Sequence, residues 1–124
     1  MSERRIRRLA EEIREEVARI LGAGLKDPRI GFVTVTRVEL TADLRQTRVY
    51  VGVLGDALQR QRCLQGLRQA AGFVRRELGH RLTVRHTPEV EFVYDTGLDA
   101  AERVAQLLDE VKGKDEGPEG AGGE

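Results

Sequence analysis

Few side chains in this sequence are equipped for bond-making chemistry. Ser2 is the only serine and sits at the second position, so a serine nucleophile held by a base is not expected. Cys63 is the only cysteine, which excludes an intrachain disulfide and a Cys-rich zinc site. It stands one position before a helical stripe beginning at Leu64, where a semi-buried packing thiol is expected. His80 and His86 are the only histidines. They lie across a presumed loop, outside any H-E-x-x-H pattern and with no third ligand nearby, so no metal site is expected. Glu89 and Glu91 alternate on a strand and share a side. That spacing could set a general acid beside a general base, but solvent-facing charges on a half-buried strand account for it equally well. No catalytic constellation survives, and neither enzymatic activity nor a cofactor is expected.

Two glycine patterns meet the same test. Gly22-Ala23-Gly24 opens a G-x-G, but Asp27 stands where the third glycine of the dinucleotide fingerprint belongs and the run follows a helix, not a strand. Gly52-Val53-Leu54-Gly55 matches the G-x-x-G of a nucleic-acid backbone clamp. Its filling is apolar and it closes a strand, so it is expected to be a strand-to-helix turn.

Charge is the remaining chemistry. The chain carries 21 basic and 21 acidic residues and is formally neutral. The two signs are separated along it: residues 1–88 hold 18 basic and 10 acidic side chains, and residues 89–124 hold 3 and 11. A +8 body is thus joined to a −8 end. Between residues 56 and 88, Arg60, Arg62, Arg68, Arg75, Arg76, Arg81 and Arg85 face only Asp56 and Glu77. Arginine's planar fork grips phosphate oxygens in pairs, so charge alone supports two readings equally: a surface for a polyanion such as RNA, or an ordinary solvated face whose arginines reflect base composition. Three Phe, two Tyr and no Trp supply no broad stacking platform, and contacts to backbone and shape should outweigh base reading.

The elements that position these charges follow from periodicity. Ile6, Leu9, Ile13, Val17 and Ile20 predict an amphipathic helix over 3–21, ending at Gly22 or Gly24. Pro28 keeps Asp27 out of helical geometry in the following loop. Residues 32–40 and 46–53 predict two strands paired as an antiparallel hairpin, with a bulge or a two-sided burial where the apolar phase slips between Val35 and Val38. Asp56 and Gln59 form a capping box before a stripe of Leu64, Leu67, Ala71, Val74 and Leu78. Gly66 and Gly72 each cost about 1 kcal/mol in a helix interior, so a break near Gly72 is expected, dividing the segment into two helices. Val90, Phe92 and Tyr94 predict a third strand, and Leu98 to Val111 a last amphipathic helix. Residues 113–124, with five glycines and a proline, are expected to be a disordered tail. The fold class is α+β, a three-stranded sheet with helices on one face. One domain of this length can bury a core without staples. No apolar run suits a membrane span or a secretory leader, and Glu3, Glu11, Glu12, Glu15 and Glu16 argue against an acid-poor transit peptide; a soluble cytoplasmic monomer is expected.

Several blocks together resemble one family. They are Leu25-Lys26-Asp27-Pro28-Arg29-Ile30-Gly31, Val33-Thr34-Val35-Thr36-Arg37-Val38, Val49-Tyr50-Val51 with Val53-Leu54-Gly55, Ala70-Ala71-Gly72-Phe73-Val74-Arg75 with Leu78-Gly79, and Pro88-Glu89-Val90-Glu91-Phe92-Val93-Tyr94-Asp95. In this order, across about residues 4–111, they resemble the ribosome-binding factor A family. The resemblance implies a type II KH-like domain over residues 1–112, in which an interhelical kink at Ala70-Ala71-Gly72 replaces the G-x-x-G clamp. It implies a non-enzymatic bacterial factor that binds the free small (30S) ribosomal subunit and 16S rRNA. Such a factor assists late 30S maturation and 16S rRNA processing, leaves before translation, and matters most in the cold. The Gly/Glu-rich tail departs from the common pattern.

Joined to the local charge, the resemblance places RNA phosphates on Arg75, Arg76, Arg81, Arg85 and Arg68, with Lys26 and Arg29 of the first loop as outer contacts. The alternative is a protein-interaction adaptor that uses the acidic last helix and tail and leaves the arginine face passive.

Overall fold

The computed structural model describes residues 2–97. The expected last helix, Leu98 to Val111, and the tail of residues 113–124 lie outside the described residues.

Helix α1 (Glu3–Gly22) starts where the Ser2 hydroxyl accepts the Arg5 N–H at 3.3 Å, which satisfies one of the helix's orphan donors. Its apolar stripe buries Ile13, Val17 and Ile20. It ends at Gly22 with Ala23 as its C-cap, and Gly24 then turns the chain with a φ of +94°, which residues bearing side chains rarely adopt. A tight turn follows, with the Ile30 N–H on the Asp27 carbonyl at 3.0 Å. Asp before Pro is the sequence of such a turn.

Strands β1 (Val33–Leu40) and β2 (Gln46–Val53) pair antiparallel, and the register shifts between Val35 and Arg37. The phase slip is therefore a bulge at Thr36. It lets Val35, opposite Val51, and Val38, opposite Val49, both turn toward the helices despite their three-residue spacing. The Thr36 hydroxyl donates to the buried Asp95 carboxylate at 2.6 Å, tying the bulge to the far end of the sheet.

Helix α2 (Ala57–Arg81) opens on the expected capping box: the Asp56 carboxylate accepts the Gln59 N–H, and the Gln59 side chain accepts the Asp56 N–H, both at 2.8 Å. It crosses over to β3 (Glu89–Tyr94), which runs parallel to β2, giving the sheet order β1-β2-β3. Helix α1 packs on β1, α2 on β3, and the two helices on each other. Ile13, Val17, Val49, Val51, Leu67, Val74, Leu78 and Phe92 form the fully buried centre between the layers.

One expectation is corrected. The helix does not divide at Gly72; it runs unbroken from Ala57 to Arg81. Gly72 costs about 1 kcal/mol, whereas the unbroken helix keeps Cys63 and Leu67 on one side of it, and Val74 and Leu78 on the other, buried along a single stripe. Each such side chain is worth about 1.5–3 kcal/mol when buried, so packing overrides the local weakness.

Candidate nucleic-acid interface

The two helices carry similar numbers of arginines but present them differently. On α1 the basic and acidic residues are interleaved, and three of its six arginines are ion-paired along the helix: Arg7 lies 3.3 Å from Glu3, and Arg14 and Arg19 bond to Glu11 and Glu16 one turn away. On α2, residues 57–76 contain Arg60, Arg62, Arg68, Arg75 and Arg76 and no carboxylate. The stripe that buries Leu67, Val74 and Leu78 forces Gln65, Arg68, Gln69, Gly72, Phe73, Arg75 and Arg76 outward, and all are exposed. The result is a helix face of fixed positive sign.

The loop between α1 and β1 lies against this helix at Gly66. A methyl group there would stand 2.8 Å from Ile30 Cγ1 and 3.2 Å from Asp27 Oδ2, so the absence of a side chain is what admits the loop. Arg29 then clamps Asp27, donating from Nε to Oδ1 at 3.0 Å and from Nη2 to Oδ2 at 2.6 Å, and also donates to Gln69 Oε1 at 2.8 Å. The guanidinium and the Arg29 N–H hold the Asp27 carboxyl down to about 2. Lys26, Gln69, Ala70 and Phe73 border a shallow depression at this seam.

On the other flank of α2, Arg75 donates from Nε and Nη2 to the Thr87 carbonyl at 3.2 and 3.0 Å. It lines a cleft with Leu9, Leu44, Arg45, Arg85 and His86. Between the flanks, Gly72 is open: the nearest group to a methyl placed there would be Arg76 Nη1, 3.9 Å away.

Residues 5–108 match the family described as ribosome-binding factor A. A protein named ribosome-binding factor A from Desulfitobacterium hafniense is 49% identical over 120 residues, 97% of this chain and 96% of that one. This chain belongs to the ribosome-binding factor A family.

Family members share the fold. The crystal structure of ribosome-binding factor A from Thermus thermophilus superposes with a TM-score of 0.63 at 28% identity, covering 70% of this chain and 91% of that one. A homology model of the Thermus thermophilus factor, fitted into a cryo-EM map of a 30S–RbfA complex, is 27% identical with a TM-score of 0.59, covering 71% and 92%. The α+β architecture here is accordingly the family's KH-like fold.

Set against this family fold, the sequence-predicted site residues fall into three groups. Arg68 and Arg76 are exposed on the ridge of α2, and neither has an ion-pair partner among the described residues. Lys26 and Arg29 lie on the loop flank, where Arg29 is committed to Asp27 and Gln69. Arg75 and Arg85 lie on the cleft flank. Arg81 stands apart at the end of α2, 3.4 Å from Glu16 and 3.7 Å from Glu77, where it joins the two helices. Ala70 is half-buried and Ala71 packs against the core beside the open Gly72. Two exposed side chains escaped the sequence reading: Gln69, whose amide oxygen is fixed by Arg29, and Phe73. Phe73 was detectable, because it falls off the Leu67–Ala71–Val74–Leu78 stripe.

The chemical inventory of the site is one of binding. Cys63 is buried, and burial pushes its thiol pKa up, which makes it a poor nucleophile. Glu91 is exposed and lies 3.4 Å from Arg48. No group of three or more potential metal ligands occurs among the described residues.

Proposed function

We propose that this protein is a ribosome biogenesis factor that binds the free small (30S) subunit through 16S rRNA and assists late maturation and 16S rRNA processing. In this reading it acts as a monomer in the cytoplasm, leaves before translation, and works by binding, without catalysing a reaction. Membership of the family supports the ribosomal partner, and a relative fitted into a 30S complex points to the small subunit. The observation that carries the RNA reading is the α2 stretch from residue 57 to 76, which holds five arginines and no carboxylate and exposes four of them, Arg62, Arg68, Arg75 and Arg76, while Arg60 stacks on Tyr94.

That face suits a phosphate backbone. Arg68, Arg75 and Arg76 surround Gly72, and the open space over Gly72 allows the RNA backbone to approach the helix more closely than any side chain would permit. In this way the Ala70-Ala71-Gly72 stretch serves without breaking the helix: Gly72 leaves the gap and the neighbouring arginines line it with charge. Lys26 and Arg85 extend the field to either side.

The test is a titration of purified 30S subunits, and of protein-free 16S rRNA, across a range of salt. Each phosphate contact should add about 0.7–0.9 to the slope of log affinity against log salt. The double substitution Arg68→Glu and Arg76→Glu should weaken binding to both targets and flatten that slope while leaving thermal unfolding unchanged. Binding that is lost when ribosomal proteins are stripped from the subunit would instead identify a protein adaptor. Binding indifferent to salt would remove the electrostatic basis of the reading.

A further inference from the structure

Among the described residues Phe32 and Phe73 are the exposed phenylalanines, at 54% and 43%, while Phe92 is fully buried. Phe73 stands in the middle of α2, where exposing an aromatic ring has no packing reason. Its helical neighbours at i−4 and i+3 are Gln69 and Arg76, and Lys26 borders the same depression. We propose that Phe73 is a stacking site for one unpaired RNA base, with the flanking phosphates held by Lys26 and Arg76 and the base edge met by Gln69. The inference rests on the RNA reading above and refines it from a phosphate-binding face to a site for a single-stranded nucleotide.

Four features carry it. A nucleotide is a flat apolar face attached to an anion, and the depression offers a ring and Lys26, with Arg76 one helical turn beyond the ring; neither cation has an ion-pair partner among the described residues. The Gln69 amide is oriented, because its Oε1 accepts from Arg29 at 2.8 Å. Its Nε2 is thereby directed away from Arg29, as a donor for an acceptor on a base. Asp27, the one carboxylate at the depression, is bonded through both oxygens to Arg29, which offsets the repulsion it would exert on a phosphate.

The surroundings also discriminate between ligands. Bases inside a duplex have their faces covered, so a ring of this kind engages loops, bulges or single strands. A protein partner would need about 800 Å² of continuous surface on each side, whereas here one ring, with Leu25 and Ala70, lines a small depression beside Lys26 and Gln69. A single aromatic residue also fits a chain with too few aromatics for an extended platform.

The full-length protein should be titrated with a fluorescently labelled single-stranded RNA, with a hairpin duplex, and with intact 30S subunits and protein-free 16S rRNA. Phe73→Leu keeps the apolar volume and removes the stacking face. It should weaken single-strand binding by about 5- to 150-fold, the range expected for one base on one aromatic ring. It should leave duplex binding, the salt slope and the unfolding temperature unchanged, and Phe73→Tyr should restore the affinity. Single-strand binding unaltered by Phe73→Leu, with Arg76→Gln still lowering the salt slope, would overturn the stacking site and leave the RNA reading standing. Weakening confined to intact subunits, with none on protein-free rRNA, would assign the ring to a protein contact and overturn the proposal. No binding of any RNA by the unmodified protein would overturn both.

Discussion

Gly66 on α2 and Ile30 in the first loop are in contact because Gly66 has no side chain: a methyl there would stand 2.8 Å from Ile30 Cγ1. Helix propensity alone favours Gly66→Ala by about 1 kcal/mol. The neighbours cannot readily yield, since Ile30 packs against the core and Asp27, at 3.2 Å, is clamped by Arg29. Overpacking of this kind costs about 1–3 kcal/mol. Gly66→Ala should therefore destabilise the protein by about 1 kcal/mol in urea unfolding, and a stabilised variant would show that the loop can lift from the helix freely.

Gly72→Ala is the converse. The space over Gly72 is open, with Arg76 Nη1 the nearest group at 3.9 Å, so only the propensity gain remains, and the protein should become more stable by about 1 kcal/mol. On the reading of Gly72 as a point of close approach, affinity for the small subunit should nevertheless fall. Stability and binding moving in opposite directions is the expected signature, and unchanged binding would show that the gap is not used.

These two glycines also mark what the sequence discloses. Both read as the same weakness in one helix, because propensity is a local quantity. Gly66 is explained by a loop far upstream in the chain and Gly72 by nothing that touches it, and neither relationship has a local signal. The bulge at Thr36 was legible because Val35 and Val38 are out of phase by one residue, and the capping box because Asp56 and Gln59 carry their own chemistry. The parallel pairing of β2 with β3 left no trace in either strand, since a crossover helix frees partner and direction from loop geometry. Within the candidate site, the charge of α2 was legible as composition. Its division into committed arginines, such as Arg29 and Arg81, and available ones, such as Arg68 and Arg76, depends on how the loop folds Arg29 back onto Asp27 and on Glu16, which α1 brings to Arg81.

Acid should loosen the loop clamp. Asp27 is held at about 2 by its bonds to Arg29, against an ordinary value of 3.8. A carboxyl whose pKa is lowered by folding contributes stability above its unfolded value and loses it as the pH falls. The Asp27 contribution is therefore complete above pH 3.8 and disappears as the pH drops toward 2. Asp95 acts in the same direction, lowered chiefly by the Thr36 hydroxyl bond. Stability measured by circular dichroism should decline across this window, and Asp27→Asn should make the decline shallower. An equally steep decline in that variant would assign the acid sensitivity to other groups.

Thr47 offers a stabilising change. Its side chain is buried on β2, and its hydroxyl oxygen has no hydrogen-bond partner among the described residues. A buried hydroxyl without a partner costs about 1–3 kcal/mol relative to one left in water. Thr47→Val keeps the branched shape suited to a strand and removes that oxygen, so the urea midpoint should rise by the equivalent of about 1 kcal/mol with an unchanged m-value. A loss of stability would mean that the hydroxyl is hydrogen-bonded in solution.

Arg75 and Arg76 are adjacent, exposed and identical in charge, yet they should not respond alike to substitution. Arg75 spends two donors on the Thr87 carbonyl, at 3.2 and 3.0 Å, and so fastens the connection before β3 to the helix. Close by, Gly79 admits Thr87, whose hydroxyl oxygen would lie 2.9 Å from a methyl at that position. Arg76 makes no hydrogen bond to another side chain or carbonyl among the described residues and is free to meet an anion. Arg75→Gln should thus cost about 0.5–1.5 kcal/mol of stability, whereas Arg76→Gln should stay within about 0.5 kcal/mol of the unmodified protein. In RNA titrations the order reverses: Arg76→Gln should lower the salt slope by about 0.7–0.9, one phosphate's share, and Arg75→Gln should lower it by less, because its guanidinium is already held by a carbonyl. Equal slopes for the two variants would place both guanidiniums on phosphates, which requires Arg75 to release Thr87 when RNA binds.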